Sequence, residues 1–382
     1  MLIKLFIFLT FATQIAHAQT PGIVAGIGKS GYSGDGLPAV VAQLRVPSDV
    51  FVTPEGHLYI ADTSNNRIRR VDKNGKMETV AGNGERVISE DGGIATEVGI
   101  MSPSSVVVDG SGNLYFTEWT SHRVRVVTPE GRISTIAGNG ESTFNGDGKL
   151  ATETALSAPS RIFLDGKGNL YIAEWSGNRV RVVGSDGRVK TVAGSGEKGF
   201  GGDGGPATEA EFDRPNGLFV TSEGNIYISD LGNNRIRRVG SDGIIQTIAG
   251  DGRAKYLGDG GPATEASLNT PSGLFVDASG SIYVCDSRNK KVRKIDPSGT
   301  ISTWVHGLIT KGQDEKPERK PLRNPNSVFV DTRGHIYISD GSMNAILRFP
   351  SDAEATQLPV SAPGVVGYSP SGGFLKSILD LF

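Results

Sequence analysis

Six carboxylates recur along the chain at a nearly fixed interval: Asp62, Glu118, Glu174, Asp230, Asp286 and Asp340. Four of the intervals are 56 residues and the last is 54. Gathered into one ring, such acids could hold a metal or an organic cation. Yet a base follows five positions later in five of the six copies, as Arg67, Arg123, Arg179, Arg235 and Lys291, with Ala345 in the sixth. An acid and a base repeated together read as a structural ion pair. Asp62/Arg67, Glu118/Arg123, Glu174/Arg179 and Asp230/Arg235 are therefore expected to pin loops. A catalytic residue is normally unique; one that returns six times belongs to the scaffold.

A second set of acids, each followed by glycine, lies between the copies: Asp35, Asp91, Asp147, Asp203 and Asp259. An aromatic or apolar residue stands three places before each, from Tyr32 and Ile88 to Tyr256. Asp-Gly suits a calcium loop, but each copy offers one carboxylate or two neighbours (Glu90-Asp91), short of the six to eight oxygens calcium takes. A turn role fits better, with Asp accepting backbone N–H groups and Gly taking positive φ. His57, His122, His306 and His335 are scattered, and no nucleophile elbow, phosphate loop or His-Glu-x-x-His run occurs. No catalytic residue, metal or cofactor is expected.

Positions where the copies differ are more informative. Just after the repeating proline stand Asp49, Ser105, Arg161, Gly217, Gly273 and Ser327, beside Ser48, Ser104, Ser160, Asn216, Ser272 and Asn326. Asp49 and Arg161, two copies apart, could grip a small polar ligand, with Ser105, Asn216 and Asn326 sharing the mouth. Directly after the repeating acid, adjacent copies carry Trp119 and Trp175. Paired tryptophans suit a carbohydrate or protein contact. The connector over 308–324 lacks Asp-Gly and is highly charged from Lys311 to Lys320, so an exposed loop is expected there.

The elements that must position these residues follow from the period itself. Each copy reads as four short strands: a apolar run after proline (Val50-Phe51-Val52), a Leu/Ile-Tyr run (Leu58 to Asp62), an Arg-Ile-Arg run (Arg67-Ile68-Arg69) and a Thr-Val-Ala-Gly run (Thr79 to Gly82). These are strands a, b, c and d. Turn residues such as Pro54-Glu55-Gly56 and Lys73-Asn74-Gly75 separate a from b and c from d. Strands a and b are apolar and β-branched throughout, which suits sheets covered on both faces. The fold class is all-β: a six-bladed β-propeller of four-stranded antiparallel blades over residues 19–350. Ile23-Val24-Ala25-Gly26 is in phase with every strand d but has no a, b or c strand before it. It is expected to close the sixth blade, with Thr356–Val360 a competing candidate, and so to leave no open sheet edge. The long d-to-a connectors share a face with the b–c loops, and that long-loop face is where binding is expected. Within one connector, Thr208–Phe212 is expected to form a single helical turn capped by Thr208.

Residues 1–18 read as a secretory leader, with Lys4, an apolar core to Ala16 and an Ala16-His17-Ala18 cleavage site. The apolar run is too short to span a bilayer, so a secreted or periplasmic protein with no membrane span is expected. The single cysteine, Cys285, makes no intramolecular disulfide, and stability must come from the core. With 39 Lys+Arg against 41 Asp+Glu, nucleic acid is not an expected partner. Residues 351–382 read as a partly ordered tail.

The Gly-Asp-Gly-Gly-Pro-Ala-Thr, Asn-Leu-Tyr-Ile-Ala-Glu and Asn-Asn-Arg-Ile-Arg-Arg-Val motifs resemble NHL-repeat propellers, in the long-connector form of bacterial exported proteins and of teneurins. The resemblance covers roughly residues 21–350 and implies a ligand- or protein-binding scaffold. Peptidyl-amidating lyases are enzymatic relatives of that family, but their zinc-binding histidine cluster has no counterpart here. The expected function is exported, non-enzymatic recognition of a protein, peptide or glycan by a monomer. The rival is a metal-dependent hydrolase resembling gluconolactonases, acting at the channel mouth.

Overall fold

The computed structural model describes residues 21–311 and 317–350. The leader, the candidate strand 356–360 and the tail fall outside the described residues. Blade 1 is an antiparallel sheet of strands a (Pro47–Val52), b (Leu58–Asp62), c (Arg67–Val71) and d (Met77–Ala81), in that order. Blades 2 to 5 repeat it from Pro103, Pro159, Pro215 and Pro271. In blade 6 the strands Pro325–Val330, Ile336–Asp340 and Ala345–Phe349 are completed by Gly22–Ala25, antiparallel to Ala345–Phe349. The six-bladed ring and its N-terminal closing strand are therefore as the period implies.

The core lies between blades, not inside any one of them. The middle of strand b places Ile60, Phe116, Ile172, Ile228, Val284 and Ile338 at 0% exposure, one per blade. Each apolar cluster joins consecutive blades, as Tyr59, Ala61 and Ile68 pack with Val106, Leu114 and Phe116. The connectors add Leu44, Ile100, Leu156, Phe212 and Leu268, all fully buried. A sheet covered on both faces has to be apolar on both, which explains the unbroken apolar runs of a and b.

Polar latches fix the angle between blades. The residue before strand c is left-handed in all six blades: Asn66, His122, Asn178, Asn234, Lys290 and Asn344, with φ from 49 to 59°. Asparagine tolerates that conformation best among residues with a side chain. In five blades its side chain accepts the N–H of the next blade's residue before proline, at 2.9–3.1 Å; Val46 to Asn344 closes the ring. Gly82, at φ +86°, shows why strand d ends in Ala-Gly: a Cβ there would strike the Asn66 carbonyl oxygen.

Two local expectations are corrected. The turn in the 194–214 connector is a 3₁₀ turn at Ala207–Glu209 with no side-chain cap, not Thr208–Phe212. The Ala207 N–H donates across to the Gly243 carbonyl (2.8 Å), so a turn of the neighbouring hairpin does what a Thr208 cap was expected to do. The charged 308–324 connector is not simply a loop. Its ends form a two-stranded ribbon, Gly307–Lys311 with Pro317–Pro321, rooted on buried Leu308 and Leu322.

Candidate functional site

The repeating acids end strand b with side chains turned inward, and Asp62, Glu118, Asp230, Asp286 and Asp340 are fully buried. Their ionic partner is not the expected one. Asp62 faces Arg67 in register, but the Arg67 guanidinium donates to the Asn65 and Asn83 carbonyls and lies under the Tyr32 ring, 3.6 Å from its centroid. The base that reaches the acid is two residues further on: Arg69, Arg125, Arg181, Arg237 or Arg293, with side chains at 0% exposure. Each sits between two carboxylates, 3.4–3.6 Å from the strand b acid and 2.6–3.1 Å from the connector Asp. Strand geometry supplies the reason: residues one apart point to opposite faces, so the first and third arginines share a face and the third lies deeper. The pairing Asp62/Arg67, and likewise Glu118/Arg123, Glu174/Arg179 and Asp230/Arg235, is thus replaced by an acid–Arg–acid bracket whose arginine and strand b acid are buried and whose connector acid is partly exposed.

The bracket also revises the connector aspartates, which anchor the long loops onto strand c as well as shaping turns. Asp35, for example, binds Arg69 at 2.6 Å and accepts from Thr79 and Tyr32 hydroxyls. Burial is the largest influence on these acids and outweighs the hydrogen bonds and arginine charges that pull the other way, leaving Asp62 and Asp230 raised to about 6 and Glu174 to about 7. Burial also pulls Asp35 upward, but Arg69, Thr79 and Tyr32 together hold it below the usual range. Blade 6 lacks both halves, having Leu347 for the arginine and no connector Asp-Gly. Asp340 there accepts from the N–H groups of Arg323, Asn324 and Met343.

At the channel, Asp49 and Arg161 meet each other. The Asp49 carboxylate takes the Arg161 guanidinium, the Ser327 hydroxyl (2.6 Å), the Ser105 hydroxyl (2.8 Å) and the N–H of Val106 (3.0 Å). Arg161 further donates to the Ser327 oxygen (3.1 Å) and the Asn326 carbonyl (3.4 Å). Asp49 is 4% exposed, Arg161 8% and Ser105 0%. Asp49 and Arg161, expected to grip a polar ligand between them, are joined to each other instead and form a bar across the channel. Two oppositely charged chains in a narrow, poorly hydrated channel are more stable paired than waiting apart.

Above the bar, on the long-loop face, a polar belt rings the opening. Ser48 donates to the Ser104 carbonyl (2.9 Å), Ser104 to Ser160 (3.1 Å), Ser160 to Pro215 (3.2 Å), Ser272 to Asn326 (2.9 Å) and Asn326 to Pro47 (3.2 Å). Each ties one blade to the next. Asn216 alone breaks the belt: among the described residues its amide has no partner. It lines a vestibule of about 380 Å³ with Trp119, Trp175, Leu231, Arg161 and Arg288. Trp119 and Trp175 meet edge to face, centroids 5.6 Å apart at 81°, and Arg214 stands 5.5 Å over Trp175. Trp119 is 36% exposed. His122, the residue before strand c of blade 2, holds the blade latch by accepting the Ala158 N–H (3.1 Å) at Nδ1. Burial holds its pKa down, which suits an acceptor. No group of three His, Cys, Asp or Glu side chains is placed to share a metal among the described residues.

Comparison with known proteins places this geometry among relatives. The teneurin NHL domain model matches residues 195–257 and 252–311, and the NHL repeat model matches residues 44–71. Protein SUPPRESSOR OF QUENCHING 1, chloroplastic, of Arabidopsis thaliana is 28% identical over 319 residues, covering 78% of this chain and 30% of that protein. Teneurin-m of Drosophila melanogaster is 32% identical over 235 residues, 56% of this chain and 8% of its own. The chain thus spans less than a third of either relative. Among solved structures, a gluconolactonase of Xanthomonas campestris superposes with a TM-score of 0.54 at 15% identity, covering 81% of this chain and 86% of its own. That likeness is one of fold. No helix among the described residues is long and apolar enough to cross a membrane.

Proposed function

The chain belongs to the NHL-repeat β-propellers, and from that premise we propose that it is an exported, non-enzymatic recognition propeller binding a protein, peptide or glycan on its long-loop face. The fold leaves the activity open, so the reading rests on the site. The observation that carries it is the vestibule: two tryptophans, an uncommitted Asn216 amide and two arginines converge above a closed channel. Aromatic anchors beside unpaired polar groups are what fix a peptide or a sugar ring in place. Arg161 contributes less than its position suggests, because Asp49 already neutralises it. A glycan and peptide array screened with the chain from Gln19 onward tests the reading. One ligand class should bind, and the Trp119→Ala, Trp175→Ala pair should lose at least ten-fold in affinity at an unchanged Tm. Undiminished binding by that pair refutes the site.

A second reading is a metal-dependent hydrolase at the channel mouth, favoured only by the superposition on a gluconolactonase. It would need Asp49 released from Arg161 and both hydroxyls. Elemental analysis of protein purified without chelator decides: one tightly held divalent ion per chain would support it. The chain is proposed to act as a monomer, which light scattering checks.

A further inference from the structure

Below the Asp49–Arg161 bar lies a second chamber of about 440 Å³, opening between the a–b turns on the face opposite the vestibule. One residue per blade, in the second half of strand a, forms its wall: Phe51, Val107, Phe163, Phe219, Phe275 and Phe329. The five phenylalanines run as an arc, with neighbouring centroids 4.9, 4.8, 5.4 and 5.1 Å apart from Phe163 round to Phe51. Their planes turn by 57–65° at each step, close to the sixth of a circle that separates blades. Val107 breaks the arc. All five rings stay partly exposed, so the chamber presents apolar surface that an apolar guest would remove from water.

The charge around the chamber is one-sided. Asp49 and Arg161 at its floor cancel. At its mouth stand Asp109 and Asp165, and the lining holds no further cation. Lys167, at the tip of the blade 3 turn, is exposed and lies outside the lining. Asp109 stays ionised: burial pushes its carboxyl up, but Asn113, Tyr115 and Ser111 donate to it and bring it below the usual range. Asp165 accepts the N–H groups of Lys167 and Asn169 at 2.8–2.9 Å. Aromatic walls under an anionic rim are the surroundings that stabilise an organic cation. The size falls within that of small-molecule pockets.

We propose that this chamber is a second binding site, for an organic monocation whose apolar body seats against the phenylalanine arc and whose ammonium group lies at the mouth beside Asp109 and Asp165. The site is independent of the long-loop face. Its test is calorimetric titration of the full chain with benzyltrimethylammonium, benzyl alcohol and benzoate. The cation should bind at least ten-fold more tightly than the alcohol, and benzoate should not bind. Asp109→Asn with Asp165→Asn should cost the cation five-fold or more and leave the alcohol unmoved, since asparagine still accepts the turn N–H groups. Val107→Phe, whose larger side chain takes up chamber volume the guest would fill, should abolish both at an unchanged Tm; if it unfolds, Val107→Leu with a graded loss serves instead. The paired Trp119 and Trp175 alanines should change nothing here. Equal affinity for cation and alcohol, binding that survives Val107→Phe in a folded chain, or no binding to the full chain each overturns the proposal.

Discussion

Replacing Arg237 by leucine copies in blade 4 what blade 6 carries at Leu347. In the native blade the guanidinium lies 2.8 Å from Asp203 and 3.4 Å from Asp230, and also donates to the Gly201 carbonyl at 3.0 Å. Leucine leaves Asp230 fully buried without its counter-charge, supported only by Asn233 and the Asp213 N–H. Asp203 is 39% exposed, so its loss of partner matters little. Removing one member of a buried pair costs about 3–5 kcal/mol. The same reasoning fixes a pH dependence. Asp230, already pushed up to about 6, rises further without the arginine, so it is charged less at pH 7.5 and already neutral by pH 5. The penalty should then shrink by about 1.4 kcal/mol for each unit of that rise. Urea denaturation of native and variant chains at pH 7.5 and pH 5 measures both quantities. A loss below about 1 kcal/mol at pH 7.5, or one that is the same at pH 5, refutes the bracket as a charged structural unit.

Across the whole chain, stability should fall as pH rises from about 4 to about 7. Asp62, Asp230 and Glu174 titrate near 6, 6 and 7 when folded, so the unfolded chain ionises first in that window. Below about pH 4 the trend reverses, because Asp35 and Asp109 are held below their usual range and lose their contribution when protonated. A denaturation midpoint that climbs steadily from pH 4 to 7 contradicts this. Asp49→Ala should cost about 3 kcal/mol by leaving Arg161 buried and unpaired, while Asp49→Ala with Arg161→Ala should cost no more than that single change; additive losses in a thermal melt would mean the two do not act as a pair. Gly82→Ala should destabilise by more than about 1 kcal/mol through both its positive φ and the Asn66 carbonyl, read as a drop in Tm. Cys285 is fully buried and its thiol is pushed strongly upward by burial, so thiol reagents should label it only on unfolding.

Much of the fold was legible because the repeat writes it six times. Strand b, the turn glycines and the early Ile23–Gly26 strand all follow from one phase, and the blade count and closure follow with them. The site was less legible. The strand c arginine that carries the buried charge is one of several in the run, and the register alone matches Asp62 with Arg67. The signal that distinguishes Arg69 is a joint absence: Leu347 and the missing connector Asp-Gly fall in the same blade. Asp49 and Arg161 stood out as breaks in the period, but sequence spacing gives no distance across a channel, so their direct contact was not visible. His122 was opaque for another reason. It occupies an asparagine position in the latch series, which becomes apparent only when the left-handed backbone at 66, 122, 178, 234, 290 and 344 is seen together.

Trp119 and Trp175 are proposed as the contact surface of the long-loop face. The chain has three tryptophans, and Trp304, packed against Tyr283 and Phe349, is far less exposed than Trp119. A Trp304→Phe chain therefore reports fluorescence from the vestibule pair alone. Titrating it with the ligand class selected on the arrays, under acrylamide quenching, measures contact directly. Saturating ligand should shift the emission and at least halve the quenching constant. Bound ligand that leaves emission and quenching unchanged would mean that the tryptophan pair is not the contact surface.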